Sequence, residues 1–493
     1  MLTTTRESLL ALFLPKRPLL PRASIYISDT PQPHQIDERY LSFAIDISVL
    51  AGGFWWEGSS IIRKGLGGLR VQPLSLNSKK LDRLVQALGP AYVRVGGSEA
   101  DKIHYFEDPT NDKDSLVLTK AMWDSLHAFI QRNNLAFSFT VKYGLFKRQL
   151  HGDWQGSEAE KLLRYSLERG YRIDVCELGN ELNAYWAFHG INAQPGAKKL
   201  AQDYSTFRQV LHSFYPNARV LGPGSAFWPK LGETIKPFSN ITKGFLANLT
   251  EDIDIVDWHY YPFQSARSPV RTRSAKPENF IDYKNLDDFK RYSLQLKKWR
   301  DELQPNAQLW TGESGSAQCG GEARCSDRWA SCFWWADQLA CGALMGQAVM
   351  IRQSLIGGEY GLVDRLTLKP RPDYWLSWIW ARLMGKQVFN VTSSDPNLRV
   401  YCHSLAEGGQ HDGSRCLLLI NLNKHSVTLD PSIAEKVKAQ YELRAKKLTS
   451  KRIKINGKKP KLKKGKLKLQ DFPLLPSTNV VRPLTINFWI LEN

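Results

Sequence analysis

The sequence predicts an α/β chain built as a closed (β/α)8 TIM barrel followed by a smaller β-sandwich, and three observations lead there. Eight short apolar runs recur through residues 36–385, and amphipathic helical patterns separate most of them. After Gly385 the pattern changes to short alternating runs bounded by turn residues, which fits a β-sandwich over 386–493. At 493 residues the chain is too long for one small domain, and a hydrophobic content of 42% supplies an ample core.

The strand candidates are 43–48, 91–96, 136–143, 175–180, 220–223, 253–261, 308–313 and 349–353. Helical periodicity is clear at 157–169, 201–214, 286–303 and 327–344. Eight alternations call for a closed barrel rather than an open sheet, with the residues that end each strand facing the active site. The sandwich strands include 398–403, 416–421 and 485–491, and residues 20–35 are expected to lend it one more. No repeat or low-complexity linker divides the two parts, so they are expected to pack rigidly.

The chain has 16 Trp and 18 Tyr, flat surface that can stack on sugar rings or fill a barrel. Seven cysteines exclude complete pairing within the chain. Cys319 and Cys325, close together in a polar loop, could be bridged, whereas Cys332 and Cys341 read as buried thiols of a helix. Asn240, Asn248 and Asn390 head Asn-x-Thr sequons. No apolar run reaches the ~20 residues of a membrane span. The run 9–14 after Arg6 lacks a small-residue cleavage site and makes a poor secretion signal.

The net charge of +19 is concentrated: residues 436–468 hold 15 Lys/Arg and the single acid Glu442. Alternation with period two would put that charge on one face of a strand pair. Lysines guarding a sheet edge and a face for docking a polyanion both explain it.

Two strand-ending carboxylates carry the chemistry. Val175-Cys-Glu-Leu-Gly-Asn-Glu181 closes the fourth strand candidate and Leu309-Trp-Thr-Gly-Glu313 the seventh. Residues ending those strands face each other across the barrel mouth. A retaining glycosidase needs two carboxyls ~5–5.5 Å apart, one to attack the anomeric carbon and one to protonate the leaving oxygen. Glu181 is the expected general acid/base and Glu313 the nucleophile. Asn180 suits a donor to the sugar 2-hydroxyl. His259-Tyr260-Tyr261 ends the sixth strand, placing Tyr261 to hold Glu313 ionised. Glu177 is assigned to a structural salt bridge.

With Leu41-Ser-Phe-Ala-Ile-Asp46, Ala91-Tyr-Val-Arg-Val-Gly-Gly-Ser98, Trp258-His-Tyr-Tyr261, Gly312-Glu-Ser-Gly-Ser316, Val349-Met-Ile-Arg-Gln353, Tyr360-Gly-Leu-Val-Asp364 and Pro372-Asp-Tyr-Trp-Leu376, this pattern resembles glycoside hydrolase family 79, the heparanase and β-glucuronidase family. The resemblance implies a barrel plus sandwich, net retention, and a glucuronic acid residue just before the cut bond. It implies that Asp46, Ser98 and Asn180 hold sugar hydroxyls, and that Gly320, Gly321 and Tyr360 bind the uronate carboxylate beside Gln353. Exposed Gly-Gly amides and a tyrosine hydroxyl suit an anion. Leu182 stands where the family usually has Pro, and Cys319 interrupts a loop that is often all glycine. The stretch 106–116 is short where animal heparanases carry a removable linker, so a single-chain enzyme is expected.

Lys230, Arg267, Arg271 and Arg273 lie in loops of the active-site face and would suit sulfates and carboxylates. The expected activity is therefore endo-β-glucuronidase on heparan sulfate or heparin. Hyaluronan cleavage and exo-β-glucuronidase action are the alternatives; the loop 147–154 would decide the latter by closing the pocket. A non-catalytic polyanion-binding protein is the alternative of another class. The chemistry calls for no metal or organic cofactor. The expected partner is an acidic glycosaminoglycan rather than nucleic acid, acted on by a monomer that is secreted or periplasmic.

Overall fold

The computed structural model describes residues 21–55, 69–107, 116–144, 153–189, 193–237, 239–406 and 413–492. The expectations about the apolar run 9–14, the middle of 106–116 and most of 147–154 lie outside them. The first strand of the described residues is β1 (Ile25–Gln35), and eight parallel strands of the barrel come after it: β2 (Leu41–Asp46), β3 (Tyr92–Gly96), β4 (Ala136–Val141), β5 (Val175–Leu178), β6 (Arg219–Trp228), β7 (Ile255–Tyr260), β8 (Gln308–Ser314) and β9 (Gln347–Arg352). Each pairs with the next in sequence, and β9 pairs with β2, so the barrel closes. A helix follows each strand: α1 (Lys79–Gln86), α2 (Lys120–Arg132), α3 (Ser157–Glu168), α4 (Ala197–Phe214), α5 (Thr242–Asn248), α6 (Tyr283–Leu303), α7 (Trp329–Leu344) and α8 (Pro372–Leu383). Side-chain caps start several of them; Ser78 accepts from the Leu81 amide and Thr119 from the Met122 amide.

Inside the barrel the strands change character along their length. Ala44, Tyr92, Ala136, Val175, Leu221, Ile255, Trp310 and Val349 form an apolar plug. Two residues further along three of the same strands, at the inward alternation, stand Arg94, Glu177 and Asp257, all buried. The apolar layer closes the floor, and the polar layer above it forms the base of the site.

Beyond α8, β10 (Met384–Ser393), β11 (Leu398–Leu405), β12 (Arg415–Asn421), β13 (Val437–Arg444), β14 (Lys454–Ile455) and β15 (Thr485–Leu491) build an antiparallel sheet in the order β1-β10-β11-β12-β15-β13-β14. The segment ahead of the barrel thus supplies the edge strand β1. The run Cys416-Leu-Leu-Leu-Ile420 is apolar on both faces because both are covered. Cys416, Leu418 and Ile420 join the barrel's core, while Leu417 and Leu419 pack with Val427 and Val481 of a two-stranded ribbon.

Two expectations need correction here. The strand pair expected in the basic segment is reduced to Leu443–Ile455 and Arg444–Lys454, and most of 456–468 runs in turns and extended backbone. Glycine and proline at 457, 460 and 465 interrupt the ladder. Cys319 and Cys325 are not bridged; all seven cysteines are free thiols, Cys332 and Cys341 buried as expected.

Candidate active site

Glu313 reaches the barrel mouth through a break in register. Trp258 pairs with Thr311 but His259 pairs with Glu313, so the shift brings the carboxylate, not Gly312, opposite the histidine. Glu181 gets there by a turn. β5 stops at Leu178, Gly179 takes φ 73°, and Glu181 itself sits in the left-handed region at φ 52°, ψ 47°. A non-glycine residue is rarely held there, and such strain concentrates at working sites. Asn183 pins the turn: its Nδ2 donates to Glu233 (3.1 Å) and to the Ala226 carbonyl, and its Oδ1 accepts from the Ala226 amide (2.8 Å).

Carboxylate oxygens of Glu181 and Glu313 lie within 4.8 Å of one another, with a ring nitrogen of His259 equally close. Tyr261 donates its hydroxyl to Glu313 at 2.6 Å, as expected. Beneath them is Arg94, the residue whose part in the site the sequence reading missed. Its guanidinium donates to Glu313 (2.6 Å), to Glu177 (2.8 Å) and to Asn180 Oδ1 (2.9 Å). Glu177 also accepts from Thr140 (2.8 Å), and His259 Nε2 lies 3.5 Å from Asp257. The expected salt bridge of Glu177 is real, but it belongs to the base of the site. The clue was a lone arginine in the apolar strand Tyr-Val-Arg-Val-Gly, which burial obliges to find acids.

The two carboxyls are biased in opposite directions. Burial pushes Glu181 up, and the hydrogen bond and charge of His259 only partly offset it. Burial acts the same way on Glu313, but the charges of His259 and Arg94 and the Tyr261 hydroxyl outweigh it and hold that carboxyl below its ordinary value. Burial works against a charged His259, yet Glu313, Asp257 and Glu181 around it raise it to about 10. Two sets, Glu177–Asp257–His259 and Glu181–His259–Glu313, are spaced to reach a metal ion. In both, the Arg94 guanidinium already hydrogen-bonds one of the carboxylates and supplies the positive charge a metal would bring.

The remaining expected residues fall into two groups. Asp46, Gln353, Tyr360, Gly320 and Gly321 converge on the cleft. Gln353 donates to Asp46 (3.2 Å), and the rings of Tyr360 and Tyr261 are 6.3 Å apart. Burial raises the Asp46 carboxyl to about 8. Gly97 (φ 108°) must be glycine, since a Cβ there would sit 2.2 Å from Asp46. Ser98 follows it, exposed, in a 3-10 turn. Among the described residues the Gly320 and Gly321 amides donate to no backbone carbonyl, while the Gly320 carbonyl accepts from Glu359 (2.7 Å) and Tyr360 (3.4 Å).

The four expected cations divide. Lys230 and Arg271 are exposed and form no ion pair among the described residues. Arg267 and Arg273, expected to meet substrate, are engaged internally: Arg273 with Asp288 (2.7 Å), and Arg267 with Glu359 (2.7 Å) and with the carbonyls of Cys319 and Gly321. The acids that neutralise them are 15 and 92 residues away in sequence, which hides the pairs from a linear reading.

The family model for the N-terminal domain of glycosyl hydrolase family 79 matches residues 67–340. Heparanase-like protein 1 of Arabidopsis thaliana is 27% identical, covering 94% of this chain and 86% of its own. Heparanase of Bos taurus is 28% identical over 85% of each chain. The hyaluronoglucuronidase of Hirudo nipponia is 27% identical over 90% of this chain and 94% of its own. Among solved structures, a 4-O-α-L-rhamnosyl-β-D-glucuronidase from Fusarium oxysporum has a TM-score of 0.66, covering 95% of this chain and 100% of that one at 13% identity, a likeness of fold.

Proposed function

The chain belongs to glycosyl hydrolase family 79, and from that premise we propose that it is a retaining endo-β-glucuronidase acting on heparan sulfate or heparin. The observation that carries the mechanism is the pair Glu181 and Glu313, whose oxygens lie within 4.8 Å and whose proton affinities are pushed apart. That spacing fits direct attack; inverting enzymes hold their carboxyls ~6.5–9.5 Å apart to admit water.

In the first step a Glu313 oxygen bonds to the anomeric carbon of a bound glucuronosyl unit. The bond to the leaving sugar oxygen breaks, and that oxygen takes the Glu181 proton. In the second step water gives its proton to the Glu181 carboxylate and its oxygen to the anomeric carbon, releasing Glu313. Asn180, with Oδ1 fixed on Arg94, turns its amide NH2 to the sugar 2-hydroxyl. The free amides of Gly320 and Gly321, the Tyr360 hydroxyl and Gln353 take the uronate carboxylate. Asp46 and Ser98 take sugar hydroxyls, and Lys230 and Arg271 meet anionic groups of neighbouring sugars. An acidic polysaccharide of this kind places the enzyme outside the cytoplasm, secreted or periplasmic.

A fluorinated glucuronide that accumulates the glycosyl-enzyme should label Glu313, and Glu313→Gln should lose at least about 10³-fold in kcat. Labelling elsewhere, or an active Glu313→Gln, overturns the assignment. The Hirudo nipponia relative is named for hyaluronan-type chemistry at 27% identity, against 28% for the Bos taurus heparanase, which favours hyaluronan as the second reading. Heparin, hyaluronan and a chromogenic glucuronide assayed side by side separate the two from exo action.

A further inference from the structure

We infer that residues 451–468 form a second binding site for an acidic polysaccharide, outside the cleft and laid across the barrel's flank. All ten Lys and Arg of this segment are exposed, and none forms an ion pair among the described residues. The Lys458 ammonium donates to the Asp471 carbonyl at 2.6 Å. Glu442, the acid that precedes the segment, is already taken by Arg482 (2.8 Å) and Arg444 (3.4 Å). So dense a run of one sign repels itself and is held at a cost to stability.

The array is nevertheless fixed in place. Ile453 and Ile455 are buried, and Leu462, Leu467 and Leu469 pack half-buried against the barrel core, so the cations alternate outward. Asn456 bonds to the carbonyls of Gln440 and Pro473 (both 2.8 Å) and to the Glu442 amide (2.7 Å). Just ahead of the segment, the Leu448 and Ser450 carbonyls accept from Ala330 and Trp329 in the first turn of α7. Further along, Gly465 lies against Arg83 of α1, and Phe472 sits 6.0 Å from the Trp378 ring of α8. The segment thus spans α7, α8 and α1, which are neighbours around the barrel. Its α7 end touches the helix that follows the Gly320–Gly321 loop, on the cleft rim. A polymer emerging from the cleft can continue onto it.

Edge protection explains only Lys454, which lies in the edge strand β14; the other nine cations lie outside that pairing. The segment presents no exposed apolar side chain to insert into a lipid surface and no aromatic ring to stack on bases, so its occupant is a linear, densely charged polysaccharide. Only the identity of that occupant rests on the proposed function.

The test replaces Lys459, Lys461, Lys463, Lys464 and Lys466 together by Gln, with the five-fold Arg variant as control. Heparin affinity should fall at least 10-fold in the Gln variant and stay within 2-fold in the Arg variant. The slope of log affinity against log salt should fall by about 3–5. Hydrolysis of a small chromogenic glucuronide should stay within 2-fold in both. Unchanged heparin affinity and salt slope in the Gln variant overturn the site. Wild-type chain that prefers anionic vesicles or single-stranded DNA to heparin overturns the occupant. Loss of heparin binding in a chain that hydrolyses no glucuronide supports this site and overturns the function proposed above.

Discussion

Arg94 and His259 are the two positive charges beside Glu181 and Glu313, and each gives a prediction of its own. Arg94→Met leaves Glu177 and Glu313 buried with His259 as their one remaining nearby cation and strips each of an ion pair, so urea unfolding should show a loss of about 3–5 kcal/mol. His259→Gln removes a cation from both Glu181 and Glu313, which raises both. The pH profile of kcat/KM should therefore move upward on its acid limb, set by Glu313, and on its alkaline limb, set by Glu181. Other buried acids set the pH dependence of stability. Burial raises Glu233 and Asp46 to about 8, against the hydrogen bonds that Glu233 receives from Thr242 and Asn183. A raised carboxyl contributes stability that is full below its unfolded value and lost as pH rises through the folded one. Stability should accordingly fall between about pH 4.5 and 8, and Glu233→Gln should flatten that decline by a few kcal/mol in denaturant melts. Of these residues the sequence announced the ones that end strands. It hid Arg94, Asp257 and Thr140, which sit one inward step below the rim and show their purpose only when eight strands are wrapped together.

At the level of elements, the pocket walls are loops tied from behind. Arg267 joins the Cys319–Gly321 loop to Glu359, and Arg371 donates to the carbonyls of Gly358 (2.5 Å) and Glu359 (2.9 Å) in the facing turn. Gly321 (φ 86°) permits the close approach, since a Cβ there would meet the Tyr360 amide at 2.8 Å. Arg267→Met should loosen this wall and leave Glu359 with only the charge of Arg371 beside the proposed uronate pocket. KM for a glucuronide should rise about 10-fold with hydrolysis of the matching neutral glucoside little changed, and adding Glu359→Gln should recover part of the loss. Equal damage to both substrates would mean a purely structural tie. The strands themselves were legible to within a few residues, with one exception. β6 runs ten residues where only four were expected, because Gly222-Pro-Gly224 reads as a stop. A register shift between Gly222 and Ser225 absorbs those residues without ending the strand. The basic segment failed in the opposite sense: its period-two pattern was real, but its glycines and proline left little of it paired.

For the whole molecule, the barrel was readable because its strands and helices alternate, and the sheet because its strands are short and bounded by turns. How the two meet was not readable. Residues 329–343 of α7 are buried on every side, since the barrel packs on one face and the sheet on the other, and a helix apolar around most of its circumference does not say what covers it. Asp337 in that helix accepts from Arg399 (2.8 Å) and Tyr401 (2.7 Å) of β11. The two parts should unfold in one calorimetric transition, and Asp337→Ala should cost about 2–3 kcal/mol. Removal of residues 386–492 should give an insoluble barrel. The cluster around Arg94 has a consequence for descent. Its guanidinium is at once part of the proposed reaction machinery and a buried cation that the interior must neutralise. A lineage that drifted away from hydrolysis could not discard Glu313 without cost, for Arg94 would keep only Glu177 as an ion-pair partner and the lost compensation would tax every folded copy. Silent paralogues should therefore carry matched replacements at both positions, a signature that distinguishes retired enzymes from working ones by inspection of two strands.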